Sequence, residues 1–313
     1  MMLRQVNQQY FFYLVSLACL VPLAYVGNPA IALLVAISLS LLSRQNLVPS
    51  AARVGKMALQ TAIVLLGFKL NVGDLWELST EYSPAVTLYV LSALACGLLL
   101  GKLLRVETAL NKLISSGTAI CGGTTIASLA PIVGARPDQT GVAMALVFIL
   151  NGIALVVFPL IGEYIGLTQT QFGVWCALAI HDTSSVVATA AIYGEEALAT
   201  ATTLKLGRTL WLIPLLLMFS VLEDRGDAKL QIPGFILLFI AASVVGSLVP
   251  IPHMVVDGIS LLSKTLLVVA LFCIGSEIKR ETLQNLKGIT VIHGVLIWCI
   301  FAPLTLMAIV YLV

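Results

Sequence analysis

The sequence predicts an all-α polytopic membrane protein with about eleven transmembrane helices. The chain is 59% hydrophobic and only 10% charged, and its mean hydropathy is +1.05. Soluble domains carry about 25% charged residues, so this composition cannot be hidden in a soluble core. The apolar residues recur in runs near spanning length, separated by polar or Pro/Gly breaks. The predicted spans cover approximately 10–27, 29–43, 56–72, 84–104, 113–134, 139–163, 171–193, 200–222, 232–250, 258–278 and 289–312.

The first run, 10–27, follows Arg4 and has the position of a signal peptide. It lacks a small-residue cleavage site and is followed at once by another span, so we expect it to stay as an extra N-terminal helix. The rest of the chain divides into a first half, 29–163, and a second half, 171–312, within a single transmembrane domain over 1–313.

The distribution of charge in the loops predicts the orientation of the chain. With eleven crossings, the basic loops fall on one side, which the positive-inside rule makes cytoplasmic. The amino terminus is then cytoplasmic and the carboxyl terminus lies outside. The loops opposite hold Asp74, Glu77, Glu81, Glu195 and Glu196. Arg136 is an exception, and a re-entrant hairpin at 113–134 would reverse the orientation of everything upstream. The basic loops hold Arg44, Arg53, Lys56, Lys102, Arg105, Lys112, Arg225, Lys229, Lys279, Arg280 and Lys287.

Two internal similarities are visible in the sequence. Residues 55–75 align with 263–283, and in the topology above these segments run in opposite directions, as in the inverted repeats of secondary transporters. Residues 119–134 align with 179–194, but these two segments would run in the same direction, which a simple inverted repeat does not explain. The identities in the first alignment are Lys56/Lys264, Leu59/Leu267, Ala62/Ala270, Gly67/Gly275 and Leu75/Leu283.

The second alignment brings two polar stretches into register. In the first, Gly122 and Gly123 would let the backbone open, so that a half-helix starts near Thr124 with its N-terminus inside the protein. Such an end carries roughly half a positive charge and free N–H groups, and it can receive an anion. We therefore predict substrate-binding roles for Cys121, Gly122, Gly123, Thr124 and Thr125, with Ser128 as a weaker candidate. The alternative is that these small residues only let helices pack closely.

The second polar stretch adds His181 and Asp182 to the hydroxyls of Ser184 and Ser185. Ionisable groups at membrane depth are costly and are functional hypotheses by default. We expect His181 and Asp182 to couple transport to H⁺ or Na⁺, since the pKa of histidine is near neutral. Ser184 and Ser185 are predicted substrate ligands. The alternative is an ionisable pair at a helix end, satisfied by backbone and lipid headgroups.

Lys205 and Arg208 are three residues apart and so share one helix face. In the topology above they lie toward the outer end of their span, against the positive-inside bias. Either they extend outward to the interface, or they face a cavity and bind a negatively charged substrate, which we favour. Asn151 and Glu277 are weaker candidates, Glu277 because it is also placed to end its helix at the cytoplasmic surface.

The motifs ICGGTTIASLAPIVGA, VVATAAIYGEEALATATTLKLGRTLWLIPLLL and VLLGFKLNVGDL together resemble the bacterial inner-membrane proteins named as a sulfate exporter family. The similarity runs from about residue 29 onward. It implies a distant relation to the cation/proton antiporters and the bile-acid/sodium symporters. Those proteins have two inverted repeats, a core domain with crossing broken helices and a panel domain. The segment Cys121–Thr125 would then be one crossing element. His181-Asp182 stands where many members are expected to have a glutamate, which leaves the coupling ion open.

The sequence therefore predicts a secondary transporter of a small anion, such as sulfate or another sulfur-containing or carboxylate anion, that works by alternating access in the bacterial inner membrane. The main alternative is a cation/proton antiporter using His181 and Asp182. An intramembrane enzyme with Cys121 or Ser184 as nucleophile, and a structural or sensory protein, are further alternatives. We expect no enzyme activity, cofactor or metal. A nucleic-acid partner is also not expected, because the net charge is only +2 and its cations are scattered. The expected partners are the anion, membrane lipids and a second copy in a homodimer.

Overall fold

A computed structural model describes residues 15–16, 18–23, 25, 29–43, 48, 50–223, 234–276 and 288–312. Every regular element in these ranges is a helix. Along the chain the helices are α1 (Pro29–Ser43), α2 (Ala51–Gly67), α3 (Val72–Leu103), α4 (Thr108–Ala119), α5 (Gly123–Leu129), α6 (Pro137–Ile165), α7 (Gln169–Ala179), α8 (Thr183–Tyr193), α9 (Glu195–Thr209), α10 (Leu212–Leu222), α11 (Gly234–Leu248), α12 (His253–Ser276) and α13 (Ile289–Leu312).

The chain forms two compact units, and the first comprises Met1–Asp74 and Pro233–Leu283. In it, α12 packs against α1 and α2, while α11 packs against α2. A Cβ on Gly67 would lie 2.7 Å from the carbonyl oxygen of Phe239, so a side chain there would force α2 and α11 apart. The hydroxyl of Ser263 donates to the carbonyl oxygen of Ala62 at 3.0 Å and ties α12 to α2.

The second unit comprises Leu75–Ile232 and Gln284–Val313, and it holds the larger hydrophobic core. Trp175 of α7 lies at its centre, stacked on Phe158 of α6 with ring centroids 3.9 Å apart. The indole N–H donates to the carbonyl oxygen of Ala302 in α13 at 2.9 Å. A buried tryptophan normally needs such a partner for its N–H. This contact fixes α7, the helix that leads into the second polar stretch, against α6 and α13.

Local capping signals explain where α7 begins and where α6 ends. Thr168 precedes α7, and its hydroxyl accepts a hydrogen bond from the backbone N–H of Gln171 at 3.1 Å. The side-chain oxygen of Gln171 in turn accepts a hydrogen bond from the backbone N–H of Thr168 at 3.0 Å. The two bonds together form a capping box. α6 ends at Gly166, whose φ of 75° is the left-handed conformation that favours glycine.

Five helical segments among the described residues are long and apolar enough to cross a membrane: Val72–Leu103, Asp138–Ile165, Glu195–Leu222 (α9 and α10 together), Met254–Cys273 and Ile289–Tyr311. The chain is therefore an all-helical, multi-pass membrane protein. The predicted run 289–312 matches α13, and 139–163 matches α6 to within two residues at each end.

The acidic loops expected from the sequence are helical in the structure, which corrects that prediction. Asp74 lies in the first turn of α3, which begins at Val72 and continues through Pro84, and Glu77 and Glu81 follow within the same helix. Glu195 and Glu196 form the first turn of α9. Carboxylates are favourable at this end of a helix because its free N–H groups carry partial positive charge. Asp74, Glu195 and Glu196 therefore mark the starts of these helices and not the gaps between them.

Candidate functional site

The first polar stretch interrupts a helix. α4 ends at Ala119, Ile120 leaves the helical conformation with φ −121° and ψ −91°, and α5 begins at Gly123. Gly122 has φ 57° and ψ −117°, a combination open to glycine and strained for other residues. The opening of the backbone predicted at Gly122 and Gly123 is confirmed, and the new helix starts one residue before the predicted Thr124.

The second polar stretch interrupts a helix in the same way. α7 ends at Ala179, Ile180 is extended, and α8 begins at Thr183. Asp182 is the N-cap of α8, and its carboxylate accepts a hydrogen bond from the backbone N–H of Ser184 at 2.9 Å. Ala119 and Ala179 are paired in the second sequence alignment, so both helices break at the same aligned position.

The two breaks lie against each other. A Cβ built on Gly122 would lie 3.4 Å from the backbone nitrogen of Asp182 and 3.4 Å from the carbonyl carbon of His181. It would also lie 3.0 Å from Cγ1 of Val147 in α6. The absence of a side chain at Gly122 therefore permits the close approach, in addition to the positive φ. The two interrupted helices, which we call the broken pair (α4–α5 and α7–α8), meet at their non-helical residues.

Lys205 joins the two breaks. Its side chain is 0% exposed, and Nζ donates to the carbonyl oxygen of Ile120 at 3.1 Å and to that of Ile180 at 2.7 Å. These two residues occupy equivalent positions at the ends of α4 and α7. Carbonyl groups at a helix end lack partners within the helix and carry partial negative charge, so a cation is favourable there. One ammonium group thus donates hydrogen bonds at the ends of both α4 and α7.

Arg208 repeats this arrangement one turn further along α9, and it is also 0% exposed. Nε donates to the carbonyl oxygen of Ala119 at 2.9 Å, and a terminal nitrogen donates to that of Thr118 at 2.5 Å. The other terminal nitrogen donates to the carbonyl oxygens of Ala177 and Leu178 at 2.8 and 2.7 Å. The planar guanidinium is suited to this task because its donors diverge in fixed directions.

These contacts revise the sequence-based view of the two cations. Lys205 and Arg208 share a helix face, as predicted, within the Glu195–Leu222 span. Their predicted position toward the outer end of that span stays a prediction. Their hydrogen bonds go to backbone carbonyls of the broken pair. The predicted role of both residues as direct anion ligands stays a prediction.

His181 and Asn151 lie next to each other at the second break. The backbone N–H of His181 donates to Oδ1 of Asn151, on α6, at 3.0 Å. Asn151 is 1% exposed and His181 is 0% exposed. In the part of the chain that the structure describes, Nδ2 of Asn151 and both ring nitrogens of His181 are buried without a hydrogen-bond partner. Asp182, in contrast, is half-buried.

The remaining predicted residues lie at or near the first break and on α8. Thr125 accepts a hydrogen bond from the backbone N–H of Cys121 at 3.2 Å, and its hydroxyl lies 3.1 Å from the Cys121 sulfur. Thr124 is exposed. Glu277 lies outside the described residues. The roles predicted for all the residues in this group stay predictions. Cys121, Gly122, Thr125 and Ser185 are buried, whereas Gly123, Ser128 and Ser184 are half-buried.

Sequence reasoning missed the second break and the carbonyl partners of the two cations. The alignment of 119–134 with 179–194 held the signal for the second break, because it paired a glycine-rich opening with the stretch around His181. The sequence held no signal for the partners of Lys205 and Arg208. They come from residues between 25 and 90 positions away.

Comparison with known proteins places the chain among bacterial membrane proteins. A family model described as conserved hypothetical protein 698 matches residues 10–293. A UPF0324 membrane protein of Vibrio parahaemolyticus is 40% identical over 309 residues, which are 96% of this chain and 98% of the relative. UPF0324 membrane proteins of Geobacter sulfurreducens and Bacteroides thetaiotaomicron are 38% and 37% identical, covering 95% and 89% of this chain and 94% and 85% of the relatives. No solved structure matches the chain.

The match covers most of the chain, and the similar relatives are aligned over most of their own length. The chain therefore belongs to the conserved hypothetical protein 698 family of membrane proteins.

Proposed function

We propose that this protein is a secondary transporter that moves a small anion across the bacterial inner membrane by alternating access. The observation that carries the proposal is the contact between two helix breaks in a chain of membrane-spanning composition. Non-helical backbone at membrane depth is tolerated only where protein buries it or where it lines a polar cavity. Transporters use such discontinuous helices to bind substrate and coupling ions near the bilayer midplane.

The charge at the broken pair supports an anionic substrate. Lys205 and Arg208 are fully buried and bring two positive charges to the ends of α4 and α7. Asp182 is the carboxylate at the breaks, and it caps α8. Two cations with one carboxylate give a positively charged interior, and a buried net charge is costly unless an ion of opposite sign accompanies it. In this proposal the cations attract the anion through their field while they bind carbonyl groups directly.

The proposed architecture has about eleven crossings, inverted repeats, and a core and a panel domain. The count exceeds the five long spans because each broken helix is divided into short segments and because α1, α2 and α11 have 15 to 17 residues. Equal burial at aligned positions of α2 and α12 supports the repeat: Leu59 and Leu267 are both 3% exposed, and Ala62 and Ala270 are 1% and 0% exposed. We assign the panel to the unit with these helices and the core to the unit with the broken pair.

The remaining parts of the proposal rest on the sequence. The basic loops favour a cytoplasmic amino terminus and a periplasmic carboxyl terminus. The resemblance to the sulfate exporter family, and through it to the antiporter and symporter superfamily, favours sulfate or a related sulfur-containing or carboxylate anion. In this proposal His181 and Asp182 supply the coupling to H⁺ or Na⁺, Thr124, Thr125, Ser184 and Ser185 contact the substrate, and the protein acts without a cofactor or enzymatic step, alone or as a homodimer.

A cation/proton antiporter is the second candidate, and the position of Asp182 favours it. This half-buried carboxylate lies directly at the second break, where it can accept a proton or bind a cation. Carboxylates placed this way in membrane helices commonly carry protons or ions. In that case Asp182 would be indispensable, whereas the charge of Lys205 would matter little for transport.

The test is uptake of radiolabelled sulfate, sulfite, thiosulfate, taurine or acetate into vesicles reconstituted with the purified protein. We expect uptake of at least one anion that empty vesicles lack. Lys205→Gln should abolish it, because glutamine keeps amide donors for the carbonyl oxygens but removes the charge. Gly141→Ala is the matched control, since a Cβ at Gly141 meets nothing within 4 Å. If transport responds to Na⁺ or pH alone, and Asp182→Asn loses that response, the antiporter is the better proposal.

A further inference from the structure

The side-chain amide of Asn151 has a fixed orientation. Its oxygen accepts the backbone N–H of His181 at 3.0 Å, and a backbone N–H can only donate. The atom that faces His181 must therefore be Oδ1, and Nδ2 must point elsewhere. Nδ2 carries two N–H donors, is buried, and has no partner among the described residues. Because a buried donor without a hydrogen-bond partner is destabilising, such a group calls for a partner.

The imidazole ring of His181 has the same property. It is 0% exposed, and neither ring nitrogen has a hydrogen-bond partner in the described part of the chain. An imidazole carries at least one N–H donor in either protonation state. Since the backbone of His181 is bonded to Asn151, the two side chains belong to one small region of the second unit, beside the second break.

Backbone carbonyl groups at the ends of α4 and α7 are, in contrast, already used as hydrogen-bond acceptors. Unwound carbonyl groups are the ligands that coordinate coupling cations in transporters with broken helices. Here the carbonyl oxygens of Ile120 and Ile180 accept from Lys205, and those of Ala119 and Leu178 accept from Arg208. A cation arriving at the breaks would have to compete with two protein cations for these oxygens. Among the described residues, the buried N–H donors of Asn151 and His181 therefore have no hydrogen-bond partner, whereas these carbonyl acceptors already have one.

We infer that Asn151 and His181 form a donor site that binds an oxygen atom of a small oxyanion at the second break. Nδ2 of Asn151 and the ring N–H of His181 donate to the anion, and Lys205 and Arg208 supply the attractive field. This inference rests on the proposed function and sharpens it, because it makes a carboxylate, sulfonate or sulfur oxyanion the ligand class for Asn151 and His181. It also gives Asn151 a direct role, where the sequence made it only a weak candidate.

The Asn151→Asp variant tests whether the site at Asn151 and His181 binds an anion. Aspartate keeps an oxygen for the His181 N–H but replaces the Nδ2 donor with a second carboxylate oxygen. Binding is measured as the anion concentration that gives half of the maximal thermal stabilisation of the full-length protein in detergent, with choline salts of sulfate, sulfite, thiosulfate and acetate. We expect this concentration to rise about tenfold or more for the anion that stabilises the wild type, as loss of one charge-assisted hydrogen bond predicts. Sodium salts of the same anions measure any cation effect separately.

The matched control is Asn111→Asp. Asn111 is also a buried asparagine in the second unit, but its Nδ2 donates to the carbonyl oxygen of Leu98 at 2.9 Å and its Oδ1 accepts from Ser115 at 3.0 Å. A carboxylate at Asn111 should lower stability without changing the half-saturating anion concentration. This variant separates the general damage of a buried carboxylate from loss of the donor site.

A second variant, His181→Leu, keeps the inference testable if Asn151→Asp does not fold. Leucine preserves the backbone N–H to Asn151 and removes both unpaired ring nitrogens, so stability without anions should be unchanged or higher while anion binding weakens about tenfold or more. A structural histidine would give the opposite result, a loss of stability with anion binding intact.

The outcomes separate this inference from the proposed function. If the wild type takes up an anion into vesicles and Asn151→Asp binds that anion unchanged, the inference is wrong and the transport proposal stands; buried water then satisfies these donors. If Na⁺ stabilises the wild type while the choline salts do not, and His181→Leu loses that stabilisation, the site binds cations and the inference is also wrong. If the wild type neither binds nor takes up any of the anions, both fail.

Discussion

The guanidinium carbon of Arg208 lies 4.3 Å from the centroid of the Tyr89 ring. Tyr89 is 5% exposed and belongs to α3, and the ring of Phe301 in α13 meets it edge-on at 5.5 Å. Arg208 thus has carbonyl oxygens as hydrogen-bond partners and the Tyr89 ring as a cation–π partner. This contact adds α3 to the elements that hold the broken pair.

We predict that Tyr89→Leu destabilises the protein by about 1–3 kcal/mol, through loss of the cation–π contact and of packing volume. Tyr89→Phe keeps the aromatic face and should change stability much less. Thermal unfolding of the purified protein in detergent measures both. Equal losses in the two variants would show that the hydroxyl, and not the ring, is the important group.

We predict that Arg208→Lys destabilises the protein by about 2–4 kcal/mol, although the charge is kept. A single ammonium group cannot reach the carbonyl oxygens of Thr118, Ala119, Ala177 and Leu178 at once. The buried oxygens that lose their donor account for the cost. Arg136→Lys is the control, because the Arg136 side chain is 61% exposed and pairs with Glu107 and Asp138 at the surface; it should change stability by less than about 1 kcal/mol. Similar losses at the two positions would contradict the prediction.

We predict that Gly122→Ala destabilises the protein by about 1–3 kcal/mol and impairs transport. Its φ of 57° with ψ −117° is strained for alanine, and the added methyl group would press on Val147 and on the backbone of the second break. Gly141→Ala, inside α6 with open space around it, should be neutral or stabilising. Thermal unfolding and vesicle uptake are the measurements. An unchanged Gly122→Ala protein would mean that the breaks can separate without consequence.

We predict that Asp182→Asn keeps the capping contribution to stability within about 0.5 kcal/mol, because asparagine caps a helix as well as aspartate does. Asp182→Ala should cost about 1 kcal/mol, since the Ser184 N–H loses its side-chain acceptor. The pair of variants therefore separates capping from charge. If Asp182 couples transport, uptake by Asp182→Asn should lose its dependence on pH or Na⁺ while the protein stays folded. Uptake that keeps this dependence would exclude Asp182 as the coupling group.

The helical, membrane-spanning character of the chain could be predicted from composition and apolar runs, because lipid imposes them directly on the sequence. The break at Gly122 could also be predicted, since paired glycines followed by threonines disfavour a continuous helix. The second break could not be read from residue types alone. Ile180, His181 and Asp182 include no glycine or proline, and the interruption there depends on Asn151, Gly122 and Lys205 from other helices.

The two cations show the other limit of sequence reasoning. Their shared helix face followed from their spacing, but a lysine and an arginine in an apolar segment have the same pattern whether they bind a solute or a backbone. The partners are carbonyl groups, which every residue has, so no sequence motif marks them. The acidic residues at the starts of α3 and α9 were misassigned for a related reason: negative charge is equally typical of loops and of the first helical turn.

Lys205 and Arg208 lie within one turn of α9, so a single short segment braces both interrupted helices. A motion that pulled α4 away from α7 would break hydrogen bonds of fully buried cations, whereas a motion of α4, α7 and α9 together keeps all six. The least costly conformational change therefore leaves this brace intact and moves it as one rigid piece. The helices around that piece would then decide access from either side of the membrane. The geometry of the broken pair would be the same at every stage of the transport cycle.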